Sequence, residues 1–171
     1  MQSETGKIDL AGLRMVPGDG QTVEIAVPAR QFKLGGVEYR AQPDPITTAI
    51  SISRTVGDGW AFKLSFDSVI RGECARCLEP AQLPVTVVAR EVHRMGGGED
   101  LESPYLQDDL LDVESWANDA LLLALPASII CTKDCRGLCD VCGERLADLP
   151  DDHAHERPPD PRWEALRRLD T

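Results

Sequence analysis

All six cysteines of this 171-residue chain fall into close pairs, and four of them share the thirteen positions of "CTKDCRGLCDVCG", residues 131 to 143. The other two, Cys74 and Cys77, lie far upstream in "CARC", and "HAH", His153 and His155, follows soon after the cluster. Thiols this close can be oxidised to disulfides, kept reduced for chemistry, or bound to a metal. Zinc takes four thiolate or imidazole ligands, at about 2.3 Å for sulfur and about 2.0 Å for nitrogen, and a short-spaced pair lets one tight turn supply two of them. Cys74, Cys77, Cys131, Cys135, Cys139, Cys142, His153 and His155 would complete two such sites.

Two partitions satisfy the spacing. One ion takes Cys131, Cys135, Cys139 and Cys142 together. Alternatively, Cys74 and Cys77 capture Cys131 and Cys135 while Cys139 and Cys142 capture His153 and His155, the arrangement that leaves no pair without a partner. One or two Zn2+ ions are expected. Gly143 suits a metal-binding turn because it takes positive φ without a Cβ clash. "CARC" is followed by Leu78, so its turn is expected to be built differently. Without metal, His153 and His155 would be solvated loop residues beside Asp151, Asp152 and Glu156, and His93 reads as a structural or exposed strand residue.

The first residues, "MQSETGKIDLAG", lack the basic start and apolar run of a secretory signal, and no stretch reaches the length of a membrane span. A soluble, cytoplasmic protein without membrane partners is expected, and a reducing cytosol disfavours structural disulfides. A thioredoxin-like redox pair needs a strand-to-helix βαβ setting that these pairs lack. The net charge of −11 argues against a basic surface that wraps nucleic acid indiscriminately.

Hydrophobic periodicity predicts an α+β fold, an antiparallel β-sheet or small open barrel with one buried helix, a zinc-knuckle segment and a short C-terminal helix. "TVEIAV" (22 to 27) alternates, as does "ITTAISISRTV" (46 to 56) through Ile46, Ile50, Ile52 and Val56. "GDG" then supplies hairpin-turn chemistry, and alternation resumes through Trp60, Phe62, Leu64, Phe66 and Ile70. A further strand from 83 carries Val85, Val87, Val88 and Val92, which places Cys74 and Cys77 in a strand connection. The first twenty residues are less legible.

"GGGEDLESPYLQDDLLDVE" (96 to 114), with seven carboxylates and no Lys or Arg, reads as a loop. A helix near 114–125 follows, with Asp112 or Ser115 as N-cap, Trp116, Ala120, Leu121 and Ala124 on one face, and Pro126 as its stop. Leu122, Leu123 and Leu125 suggest burial on several sides. "DPRWEALRRL" predicts a docking helix from Asp160 with Pro161 at its first position. The domain reading is a strand-rich core over 1–130 and, over 131–171, a zinc-binding knuckle and C-terminal helix packed on it.

"RGECARCLEP", then "LALPASIICTKDCRGLCDVCGERL", then "DPRWEALRRL" together resemble the bacterial YceD family, over about residues 60 to 170. The resemblance implies a role in 23S ribosomal RNA accumulation and large-subunit assembly. Where many relatives have Cys-x-Cys before the Asp-Pro-Arg segment, this chain has His153-Ala154-His155, an exchange of imidazole for thiolate that zinc allows.

The chain lacks a Gly-x4-Gly-Lys-[Ser/Thr] phosphate loop, a Gly-x-Ser-x-Gly elbow and a His-Glu-x2-His helix, so no enzymatic activity is expected. The leading expectation is a zinc-stabilised factor whose Arg71, Arg76, Lys133, Arg136 and Arg145 meet ribosomal RNA phosphates; the bland alternative is that these cations neutralise zinc thiolates. A second expectation is an acidic escort in which Glu99, Asp100, Glu102, Asp108, Asp109, Asp112 and Glu114 bind a basic ribosomal protein. A third is a metal-dependent hydrolase, which would need an open coordination position.

Overall fold

The computed structural model describes residues 6–98 and 101–156. Its main element is a six-stranded antiparallel sheet of β2 (Gly20–Val27), β3 (Phe32–Leu34), β4 (Val37–Gln42), β5 (Ile46–Thr55), β6 (Gly59–Glu73) and β7 (Pro80–Arg94). β6 is its spine. One edge pairs with β7 along its whole length, from Gly59↔Arg94 to Glu73↔Pro80. Two strands share the other edge, β5 up to Ser65 and β4 from Val69 onward. β2 extends the sheet beyond β5, and β3 extends it beyond β4.

Alternation sets the two faces. Trp60, Phe62, Leu64, Phe66 and Ile70 of β6 are buried, with Ile50 and Ile52 of β5, while Lys63, Asp67 and Arg71 point the other way and are exposed. A one-residue slip would turn the aromatic face to water, so this register is strongly specified. Val56 belongs to the hairpin turn and is exposed, as are Val88 and Val92 on the outward side of β7.

A small second sheet has the order β1 (Lys7–Asp9), β9 (Leu110–Asp112), β8 (Leu106–Gln107). The segment 96–114, expected to be a loop, therefore contains a hairpin. Asp108 (φ 47°) and Asp109 (φ 60°) form its two-residue turn, in the left-handed region that Asp tolerates. β9 pairs with the start of the chain, Ile8 against Leu111. Strands of two or three residues are too short to show a period, and their pairing spans a hundred residues of sequence.

Helix α1 (Val113–Ala124) is capped by Asp112, whose Oδ1 accepts from the Ser115 N–H at 2.9 Å. Trp116, Ala117, Ala120 and Leu121 are buried, with Trp116 edge-on to Phe62 at 6.4 Å. Burial on several sides is corrected: Leu122 is 47% and Leu123 87% exposed, and Ala124 is exposed too. Leu121 is buried and Leu125 packs partly against the core, so of the three extra leucines it is Leu122 and Leu123 that stay exposed. No helix among the described residues is long and apolar enough to cross a membrane. The helix expected from Asp160 lies outside the described residues.

Candidate metal centres

The connection between β6 and β7 is Cys74-Ala75-Arg76-Cys77-Leu78-Glu79. The Cys74 N–H donates to the Glu79 carbonyl at 2.7 Å, and the Leu78 N–H returns to the Cys74 carbonyl at 3.0 Å. These bonds fold the turn so that both thiols face one side. The turn requires positive φ at its fifth residue, and Leu78 adopts 63° there. Just before it, the Tyr39 hydroxyl donates to the Glu73 carbonyl at 2.8 Å, and a Cβ at Gly72 would overlap the Tyr39 ring. Tyr39 and Gly72 thus fix the strand end that carries Cys74.

Cys139-Asp140-Val141-Cys142-Gly143-Glu144 repeats this loop. The Cys139 N–H donates to the Glu144 carbonyl at 2.7 Å, the Gly143 N–H to the Cys139 carbonyl at 2.9 Å, and Gly143 has φ 75°. The bridge Leu138↔Arg145 closes it as Glu73↔Pro80 closes the first. The expectation that "CARC" needs a different turn is therefore corrected: the two knuckles are alike, and Leu78 occupies the glycine's conformation. Its side chain is 55% exposed, so it meets no steric obstacle beyond its own backbone.

Each knuckle receives two more ligands from elsewhere. After Pro126 ends α1, the buried Ile129 accepts from the Ala75 N–H at 2.9 Å and lays the chain along the first knuckle. Cys135 Sγ then lies 3.7 Å from Cys74 Sγ, and Cys131 Sγ lies 3.6 Å from Cys77 Sγ. A disulfide needs about 2.05 Å, so these are free thiols. Four sulfurs about 2.3 Å from a central ion in a tetrahedron are about 3.8 Å apart, which these separations match.

At the second knuckle, Cys142 Sγ is 3.7 Å from His153 Nε2, and the rings of His153 and His155 lie 4.6 Å apart at 89°. His155 Nε2 is buried with no hydrogen-bond partner, an orphan that a metal ion would satisfy. In each group the four ligand atoms lie within 4.8 Å of one another. The grouping is Cys74, Cys77, Cys131, Cys135 and, separately, Cys139, Cys142, His153, His155, and either could hold a metal ion. Each group supplies four protein ligands, the closed arrangement of structural rather than catalytic zinc.

The electrostatics repeat too. Burial pushes the Cys74 thiol up, but N–H groups from Arg76, Cys131 and Cys77 outweigh it and bring the thiol down to about 6. N–H groups from Cys142 and Val141, with His153, lower Cys139 to about 6. The first cysteine of each knuckle is thus prepared as a thiolate. At Cys77 an N–H from Glu79 favours the thiolate, but burial and the three neighbouring sulfurs push it up to about 12. Crowded thiols at this centre ionise together only with a cation among them.

The expected RNA-contacting cations divide. Arg76 Nη1 donates to the Cys135 carbonyl at 3.0 Å, Arg136 pairs with Asp151 at 2.9 Å, and Arg145 pairs with Glu79 at 2.7 Å and Asp148 at 3.4 Å. These three make their contacts within and between the knuckle segments. Arg71 and Lys133 are exposed, without an ion pair among the described residues. His93 stands apart from both centres, its Nδ1 accepting from the Ser103 N–H at 3.2 Å. Sequence reasoning missed Tyr39, Gly72, Leu78 and Glu79, although the shared Cys-x2-Cys-x-Glu pattern was the available signal for the last two.

An antiparallel sheet whose central hairpin ends in one of two matched ligand groups defines the class: a β-rich protein with two Cys/His groups that could each hold a metal ion. The family follows from the same residues. The model of the family described as large ribosomal RNA subunit accumulation protein YceD matches residues 62–170, and the chain belongs to that family. The match spans β6 from Phe62 onward, β7, α1 and all eight candidate ligands. The uncharacterized protein Rv2926c of Mycobacterium tuberculosis is 41% identical over 101 residues, covering 56% of this chain and 48% of its own length. The uncharacterized protein ML1660 of Mycobacterium leprae is 33% identical over 101 residues, covering 55% and 45%. The chain thus spans about half the length of the curated relatives it matches. No solved structure matches.

Proposed function

We propose that this protein is a non-enzymatic, zinc-stabilised cytoplasmic factor that supports accumulation of 23S ribosomal RNA, and with it large-subunit assembly, by binding that RNA. The observation that carries this reading is that the family match covers both ligand groups together with the hairpin that presents the first. The donor sets, four sulfurs in one centre and two sulfurs with two imidazoles in the other, suit zinc, and full protein coordination leaves no position for a catalytic water. The ions would join distant segments and contribute their binding energy to folding.

The test is loss of the gene followed by measurement of large- against small-subunit ribosomal RNA. The expected result is a selective fall in the large-subunit species, restored by the wild-type gene and not by Cys74→Ser/Cys77→Ser. An unchanged ratio would sink the proposal.

A second reading, the acidic escort, draws on a cavity of about 610 Å³ at the far end of the β6–β7 hairpin, where Asp58, Glu102, Asp108 and Asp109 surround Arg54 and His93. Other acids expected to serve it are used locally: Asp112 caps α1, and Glu114 pairs with Arg30 at 3.2 Å. Glu99 and Asp100 lie outside the described residues. Recovery of a basic ribosomal protein after nuclease treatment would favour the escort, and RNA-dependent recovery the RNA binder.

A further inference from the structure

The outward face of the six-stranded sheet carries two pairs of like charges set directly across from one another. Lys63 of β6 stands opposite Arg90 of β7, and Arg71 of β6 stands opposite Arg40 of β4. All four are exposed, and none has an ion pair among the described residues. Like charges directly opposite on a sheet destabilise it. Among the carboxylates of this face, Asp67 accepts from the Thr86 hydroxyl, Glu38, two residues from Arg40, pairs with Lys33 at 3.2 Å, and Glu73, two residues from Arg71, is exposed and makes no ion pair with the four cations. Two unneutralised cation pairs on a chain of net charge −11 call for an anionic partner.

The surface between the pairs narrows what that partner is. Cross-strand rows run Thr22, Ser51, Lys63, Arg90 and, one row along, Glu24, Ala49, Ser65, Val88, so between the cations the face carries mainly small and hydroxyl side chains, with Glu24 at its β2 edge and Val88 at its β7 edge. The sheet's aromatic residues all lie on the inner face, where Trp60, Phe62, Phe66 and Tyr39 are buried. A single strand would need exposed rings on which to stack its bases, and this face offers none. Duplex RNA is recognised instead through phosphates and 2′-hydroxyls, which arginine forks and serine or threonine hydroxyls can meet. The two pairs are eight residues apart along β6, about 26 Å at the usual strand rise, so both reach one side of a helix.

Resting on the RNA-binding reading above, we propose that the outward face of the β2-β5-β6-β4 sheet with β7, through Lys63, Arg90, Arg40 and Arg71, binds the backbone of double-helical RNA. The knuckle arginines brace the metal centres and are not the contact surface. Recognition is by shape and phosphate, without base readout.

The test titrates the full-length, zinc-loaded chain into a fluorescent mixed-sequence RNA duplex of about 20 base pairs and into either of its strands alone, at several salt concentrations. The wild type is expected to prefer the duplex, with affinity falling as salt rises. Lys63→Ala/Arg90→Ala and Arg40→Ala/Arg71→Ala should each weaken binding about tenfold at low salt and reduce the logarithmic salt slope by about two, one per phosphate contact removed. Their melting temperatures should stay level or rise, because each variant relieves a like-charge pair. Lys133→Ala/Arg136→Ala should bind as the wild type does. Wild-type binding left within twofold by all four replacements together would overturn the sheet-face proposal and leave the RNA-binding reading standing. No wild-type binding to any RNA would overturn both. Preference for the single strand, or competition by polyglutamate as strong as by duplex, would overturn the choice of partner.

Discussion

The knuckles Cys74–Glu79 and Cys139–Glu144 share a backbone path, hydrogen bonds and a lowered first thiol, yet they sit in opposite surroundings. Cys74 is 0% and Cys77 7% exposed at the end of a hairpin of two fifteen-residue strands, and their partners Cys131 and Cys135 pack on the same core. At the other, only Cys139 is buried; Cys142 is exposed, and the histidines are half-buried. The first centre brings together residues 54 and 61 positions apart, whereas the Cys142–His153 contact of the second spans 11. One local motif would therefore do two jobs when loaded with metal: the inner centre would tie the tail to the sheet, and the outer one would shape the tail itself.

The largest expected effect breaks that comparison at the inner centre. Cys74→Ser should abolish cooperative thermal unfolding followed by tryptophan signal, because structural zinc contributes about 10–16 kcal/mol in small zinc domains, as much as a typical domain's whole stability. Cys142→Ser should leave the Trp60–Phe62–Trp116 core and its melting transition intact while one ion is lost. If both variants melt alike, the division of roles is wrong. Metal removal should show the same order. Against a chromophoric chelator, one equivalent of zinc is expected to leave quickly from the exposed centre and one slowly, with the fast phase absent in Cys142→Ser; a single phase would count against unequal burial.

Smaller effects sharpen the comparison at the turns. Gly143→Ala should cost about 1 kcal/mol in the zinc-loaded state, since its φ of 75° disfavours any side chain. Leu78→Gly should change stability by less than about 0.5 kcal/mol, because strain relieved in the folded turn is offset by freedom gained in the unfolded chain. Both are read from denaturant midpoints. The smallest effect belongs to the link between the knuckles, the Glu79–Arg145 pair, whose side chains are 44% and 40% exposed. A double-mutant cycle should return about 0.5 kcal/mol, and less at high salt.

Much of this was legible where a pattern was local. Alternation placed β5 and β6 because their buried rows run through Ile50 and Phe62 at period two, and β7 was legible as a valine-rich run from which Val87 is buried while Val88 and Val92 face out. The ligand types were legible because only Cys and His occur at those spacings. Contacts made in space were not: β1 meets β9 across most of the chain, and no composition signal announces three residues that will pair. Leu122 and Leu123 suggested more burial than α1 has, because leucine content does not tell which positions of a helix meet a partner. Leu78 hid the second copy of the knuckle because a non-glycine residue in the left-handed region has no sequence mark. Lys63 and Arg90 became a pair only once the register of β6 against β7 was known.

The most direct test of the two-centre account is metal analysis of protein purified under reducing, chelator-free conditions, by native mass spectrometry joined to X-ray absorption at the zinc edge. Two zinc ions per chain are predicted, with an average shell of about three sulfurs and one nitrogen, the mean of a four-sulfur and a two-sulfur, two-nitrogen site. A single ion, an all-sulfur shell, or a metal-free chain that stays folded would contradict it.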